Sequence, residues 1–87
     1  MEIVFSFKAN NDLKFWKKSG NVNIQNKIKE LLESIQQNPF EGIGKPEQLK
    51  YNLTGSWSRR INVEHRIIYD VYEKDYKVLI QSLKGHY

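Results

Sequence analysis

The chain has 87 residues, with 14 Lys and Arg against 10 Asp and Glu, a net charge of +4, and no cysteine. That length holds one domain, expected over residues 1–87, with one modest core. The lack of cysteine excludes disulfides, thiolate nucleophiles and Cys-type zinc sites, and no apolar run approaches the roughly 20 residues that cross a bilayer.

The N-terminal Met-Glu-Ile-Val-Phe-Ser-Phe-Lys has neither the basic start nor the long apolar stretch of a secretion signal, so a cytoplasmic location is expected. Positive charge favours an acidic partner, nucleic acid or an acidic protein segment, although small net charges are also common in domains with no such partner. From Glu2 to Phe7 the pattern alternates, with Ile3, Phe5 and Phe7 on one side, which predicts a strand. Asn10-Asn11-Asp12 then offers helix caps, and Leu13, Phe15 and Trp16 form a short apolar face that ends at Ser19-Gly20. Trp16 is expected in the core rather than stacked on a nucleobase.

A second helix is predicted from Ile24, Ile28, Leu31, Leu32 and Ile35, one stripe of a 3.6-residue repeat. Asn21 or Asn23 can cap it, and Asn38-Pro39 stops it. Pro39 to Pro46 reads as a stiff loop. After it, Leu49, Tyr51 and Leu53 alternate up to a hairpin turn at Thr54-Gly55. Strands follow at 57–61 and 66–72 around an Asn62-Val63-Glu64-His65 turn, and the last runs from Lys77 to Leu83 after a turn at 73–76. The order β-α-α-β-β-β-β predicts an α+β domain, its helices gathered on one face of a mainly antiparallel sheet. Alternation then puts Ile67, Tyr69 and Val71 towards the core, Trp57, Arg59 and Ile61 on one face of their strand, and Arg60 with Arg66 on an open, positive face.

The stretch from Gly44 to Arg66 concentrates five basic residues, two glutamates and several turn residues, a composition suited to an anionic ligand. A metal nuclease would need clustered ligands, and the best set, Glu64, His65 and Asp70, matches no known ligand spacing. Gly42-Ile43-Gly44 is too short to signal a phosphate-cradling loop. Metal-free RNA cleavage needs less: a base for the ribose 2′-OH, cations for the crowded phosphorane, and an acid for the departing 5′-oxygen. Glu47 with Lys45, Lys50, Arg60 and Arg66 can supply the first two. His86 suits the acid, and Tyr87 can supply a phenol or stack on a base; from position alone, both also fit an idle chain terminus.

Gly-Ile-Gly-Lys-Pro-Glu-Gln-Leu-Lys, Asn-Leu-Thr-Gly-Ser-Trp-Ser-Arg-Arg-Ile, Glu-His-Arg-Ile-Ile-Tyr, the terminal His-Tyr and Asn-Pro-Phe-Glu-Gly at 38–42 together resemble the Txe/YoeB toxins of the RelE-like superfamily, over nearly the whole chain. The resemblance implies a RelE-like microbial RNase fold and a toxin of a type II toxin–antitoxin system. Such a toxin cleaves messenger RNA in the ribosomal A site without metal or other cofactor, and a YefM-like antitoxin neutralises it. By position it implies Glu47 as general base, Arg66 as transition-state stabiliser, His86 as general acid and Tyr87 as its assistant. Lys50 and Arg60 would hold the phosphate, and Glu64 would support the site electrostatically. Gln48 stands where the family often has proline, and Tyr51 where it can have histidine. The implied partners are the antitoxin, the ribosome and its mRNA, with no membrane; family members can also dimerise. A second function on the same fold is inhibition by protein binding alone, as ParE-like relatives act on gyrase. A third is an RNA-binding module without catalysis.

Overall fold

A computed structural model describes residues 1–49 and 55–85. In chain order the elements are β1 (Glu2–Phe5), α1 (Phe7–Ser19), α2 (Val22–Gln37), β2 (Glu47–Gln48), β3 (Ser56–Arg60), β4 (Arg66–Tyr72) and β5 (Lys77–Ser82). The α+β reading holds, with the strands in the order β1-β5-β4-β3-β2. β1 runs parallel to β5 and every other pairing is antiparallel.

The first boundary differs from the alternation-based expectation. β1 stops at Phe5, and Phe7, which the period-two pattern placed in the strand, opens α1 with 84% of its surface exposed. The cap is Ser6, not a residue of Asn10-Asn11-Asp12. Its hydroxyl accepts from the Ala9 N–H (3.0 Å) and donates to the Gln81 carbonyl (2.9 Å), so one side chain starts the helix and ties it to β5. Asp12 consequently falls inside α1, on its buried side. The strand expected around Leu49, Tyr51 and Leu53 is described only as the short β2 and a buried Leu49; Tyr51 and Leu53 lie outside the described residues.

α2 follows the predicted stripe: Ile24, Ile28, Leu31 and Ile35 are buried, Leu32 packs at the core margin, and Asn21 caps the start. They meet Ile67 and Tyr69 of β4 and Val78 and Ile80 of β5, each completely buried. Burying each such side chain contributes about 1.5–3 kcal/mol. Trp16 joins this core, as expected, and its indole N–H donates to the Leu83 carbonyl at 2.8 Å.

One core residue is a cation. Arg59 is fully buried, and all five of its N–H groups have acceptors. These are the Tyr69 hydroxyl (3.1 Å), the Ser34 hydroxyl (2.6 Å), and the carbonyls of Ile43 (3.2 Å), Asn38 (2.6 Å) and Glu41 (3.0 Å). Residues 38–44 therefore wrap around the guanidinium. Gly44 closes the wrap at φ +83°, where an added Cβ would stand 2.6 Å from Leu31 Cδ2. That packing, rather than phosphate binding, accounts for a glycine at this place. The Gly44 carbonyl accepts from the Arg60 N–H at 2.7 Å and begins the edge pairing that leads into β2.

Tyr69 donates its own hydroxyl proton to the Pro39 carbonyl at 2.7 Å. Burial raises its pKa above the usual 10.0, with the Arg59 hydrogen bond and charge partly opposing. The folded state thus favours the neutral phenol, and stability from this group is complete below about pH 10 and is lost as the pH rises through the elevated folded value. Tyr69→Phe should flatten the alkaline limb of a urea-denaturation series between pH 8 and 11, while costing about 1–2 kcal/mol at neutral pH through the orphaned Pro39 carbonyl. Arg59→Met should cost about 3–5 kcal/mol in the same assay, because it removes five hydrogen bonds at once, three of them to loop carbonyls.

Candidate active site

Strand register decides which side chains share the open face. Arg60 stands directly opposite Arg66, Ser58 opposite Ile68, and Ser56 opposite Asp70. Across the other edge Glu47 stands opposite Ser58. Side chains of paired residues point to the same side, so Glu47, Arg60 and Arg66 lie on one face, with Arg59 and Tyr69 on the other. Glu47 is one same-face step, roughly 7 Å along the strands, from Arg60. Glu47 and Arg60 are exposed and Arg66 is half-buried. The expectation that Arg60 and Arg66 share one face is met, but that face is open only in part, because Ser58 on it is fully buried.

Local geometry sets the entry of Glu47. Lys45 has φ +51°, a left-handed conformation uncommon for a side-chain-bearing residue, and Pro46 follows with its own φ fixed. Both precede Glu47 on the sheet edge, where a proline's missing N–H leaves no ladder bond broken. Beside them a hollow of about 430 Å³ is lined by Lys27, Gly44, Lys45, Arg60, Ile61, Asn62, Val63 and Arg66. Four of its lining residues are cations and none is acidic. Lys27, from α2, was not singled out in the sequence because it reads as part of that helix's solvated face.

Glu64 projects from the exposed Asn62–His65 turn, which the Asn62 side chain organises by accepting from the N–H groups of Glu64 (2.8 Å) and His65 (2.7 Å). The candidate metal set does not converge: among the described residues no three His, Cys, Asp or Glu side chains gather as ligands. Asp70 is occupied instead by the Ser56 hydroxyl and by the Gln81 amide at 2.8 Å.

Lys50, His86 and Tyr87 lie outside the described residues. The segment leading to the last two is nonetheless held at several points. Asp12 accepts from the Leu83 N–H (3.0 Å) and pairs with Lys8 (2.7 Å), and Trp16 donates to the Leu83 carbonyl. Lys8 also reaches the Ser82 hydroxyl (2.9 Å), and the Lys84 ammonium stands 4.0 Å over the Phe15 ring. At the end of the segment the Arg66 N–H donates to the Gly85 carbonyl (3.1 Å), while the Gly85 N–H donates to His65 Nδ1 (2.9 Å). Gly85 is thereby fixed beside the first residue of β4. The roles of Asp12 and His65 were not read from the sequence. The available signal was Lys8, Asp12 and Trp16 at i, i+4 and i+8, one side of a helix that begins earlier than Asn10.

An edge carboxylate, two facing arginines and a tethered C-terminal segment thus stand on one α+β sheet. The profile of the YoeB-like toxins of bacterial type II toxin–antitoxin systems matches residues 5–87. Toxin YoeB of Escherichia coli K12 is 42% identical over 87 residues, covering 100% of both chains. Two solved structures from Staphylococcus aureus, each covering 100% of this chain and 98% of their own, are similarly near: a YoeB–YefM complex at 50% identity and TM-score 0.85, and a YoeB dimer at 49% and 0.87. The chain belongs to the YoeB family, toxins of bacterial type II toxin–antitoxin systems. Among its described residues no helix is long and apolar enough to cross a membrane.

The clamp on the C-terminal segment generates a specific expectation. Asp12→Ala removes the acceptor for the Leu83 N–H and the partner of Lys8. Amide exchange at Leu83 should accelerate at least tenfold, with a loss of about 1–3 kcal/mol in global stability read by urea denaturation.

Proposed function

We propose that the protein, over residues 1–87 as one catalytic unit, is a metal-independent endoribonuclease that cuts mRNA in the ribosomal A site. The observation that carries the reading is the shared sheet face of Glu47, Arg60 and Arg66, with Gly85 hydrogen-bonded to Arg66 immediately before His86 in the chain. Such a face supports a base and cations meeting one phosphodiester, with the acid to come from the residue that follows Gly85 in the chain.

In this mechanism the Glu47 carboxylate takes the proton of a ribose 2′-OH, and the freed oxygen attacks the adjacent phosphorus. Arg66, aided by Arg60 and Lys50, stabilises the negative charge that builds on the phosphorane oxygens. The bond to the 5′-oxygen breaks, and His86 gives that oxygen its proton, with Tyr87 assisting. One product ends in a 2′,3′-cyclic phosphate and the other begins with a 5′-OH. Glu64 on its exposed turn would bias the local field. The hollow lined by Lys27, Lys45, Arg60 and Arg66 supports binding of a polyanion at this place.

The partner that restrains this activity is a YefM-like antitoxin, whose acidic, flexible segment would fold over the same cations. The Staphylococcus aureus complex and dimer support both that pairing and self-association of the free toxin. Ribosomes and mRNA place the site of action in the cytoplasm.

Mapping RNA ends after a pulse of expression tests the mechanism. Wild type should leave 5′-OH ends within translated codons. Glu47→Ala and His86→Ala should fold yet leave mRNA intact. Arg66→Ala should slow single-turnover cleavage on the order of 100-fold, about 3 kcal/mol. Wild-type rates in these variants, or translation arrest without any new RNA ends, would overturn the reading.

A further inference from the structure

The peptide groups on either side of Gly85 are taken by adjacent residues: Arg66 donates its N–H to the Gly85 carbonyl, and His65 Nδ1 accepts the Gly85 N–H. The first of these is a main-chain bond that any residue at 66 other than proline can make. The second depends on one side chain in one tautomer, with the proton on Nε2 and the lone pair on Nδ1. Packing fixes the orientation of the ring. It stands edge-on to Trp16, centroids 4.9 Å apart at 80°, and Trp16 is itself held by its hydrogen bond to Leu83. The main chain of His65 is pinned as well, its carbonyl accepting from the N–H groups of Ile61 (2.9 Å) and Asn62 (3.2 Å).

Gly85 adopts φ +98°, with nothing within 4 Å of where a Cβ would sit. Its conformation is therefore not imposed by crowding. The hydrogen bonds on either side hold the peptide in a region that side-chain-bearing residues rarely enter.

We infer that His65 is a positioning residue for the proposed acid, His86: by accepting the Gly85 N–H at Nδ1, it fixes beside Arg66 the peptide from which the chain continues to that residue. This rests on the proposed cleavage mechanism and adds to it a role for a histidine that touches no substrate. Lysine or arginine at position 65 would present only donors to the Gly85 N–H and would break the arrangement. A neutral acceptor at the place of Nδ1 would keep it. Asparagine carries its side-chain oxygen close to that place, whereas leucine fills a similar volume with no acceptor.

The test compares His65→Asn and His65→Leu with wild type in the full-length toxin. Single-turnover cleavage of mRNA on programmed ribosomes is measured together with hydrogen exchange at the Gly85 amide. Both variants lose the ring that packs on Trp16, so both should melt at a lower temperature. Activity should separate them. His65→Leu should lower the cleavage rate constant about 10- to 100-fold with KM within twofold, as expected when a reacting group is misplaced by a fraction of an ångström to an ångström. His65→Asn should restore the rate to within about threefold of wild type. Gly85 amide protection should be lost in the leucine variant and kept in the asparagine one. A leucine variant that cuts at the wild-type rate, or an asparagine variant that falls as far as leucine, would overturn the inference. If wild type itself cuts no RNA, the cleavage mechanism fails and the catalytic consequence goes with it. Gly85 exchange then decides by itself whether His65 holds the segment.

Discussion

The guanidinium of Arg59 is the constraint on which most of the site's geometry rests. A buried cation is costly to desolvate, by several kcal/mol even after relaxation, and no carboxylate among the described residues bonds to it. What offsets the cost is complete satisfaction: five donors meet five oxygens, three of them carbonyls of the loop that leaves α2. A loop of this kind has no regular structure to hold it, yet it must deliver Glu47 to the sheet edge in a fixed place. Arg59 supplies that hold from beneath the sheet. Its neighbour Arg60, one step along the strand, faces the other side, where it lies opposite Arg66. Two consecutive arginines thus divide into an internal brace and an exposed surface cation through the two-residue period of a strand alone.

At the other end of the site the problem is entropic. A group carried near a chain terminus is mobile unless tied down, and in the proposed cleavage a mobile acid would contribute little, because such chemistry needs sub-ångström placement. Here the tie is shared by α1 and the turn before β4: Asp12 and Trp16 take both polar groups of Leu83, and His65 and Arg66 take those of Gly85. Leu83 buries its side chain in the core as well. The described chain is therefore anchored up to the residue before His86.

Much of this was legible in the sequence, and the exceptions have physical reasons. α2 is visible because a four-turn amphipathic stripe is redundant; losing one position would not hide it. The division of Arg59 and Arg60 followed from alternation, but alternation cannot say that an arginine on the inner face will find five acceptors, since three come from a loop more than 15 residues upstream and the others from α2 and β4. The start of α1 was misplaced because Phe7 happens to continue the β1 pattern, and a serine cap one residue earlier is a weaker local signal than a run of Asn and Asp. That error hid Asp12, which reads as a cap only when the helix is begun too late. The role of His65 at Gly85 was hidden for a simpler reason: its partner is a backbone N–H 20 residues away. Side-chain patterns carry no record of such contacts.

The parallel pairing of β1 with β5 has a kinetic consequence. Ile3 lies beside Val78 and Phe5 beside Ile80, so the strand made first is closed into the sheet by one made about 75 residues later. Until β5 exists, β1 lacks the strand it pairs with. Contacts of such long sequence separation slow folding, because loop-closure entropy must be met before the contacts form. On the ribosome this postpones the native sheet to the last moments of synthesis and release. β1 therefore waits for its strand partner through most of elongation, and its pairing with β5 and the Gly85 anchor are both late events.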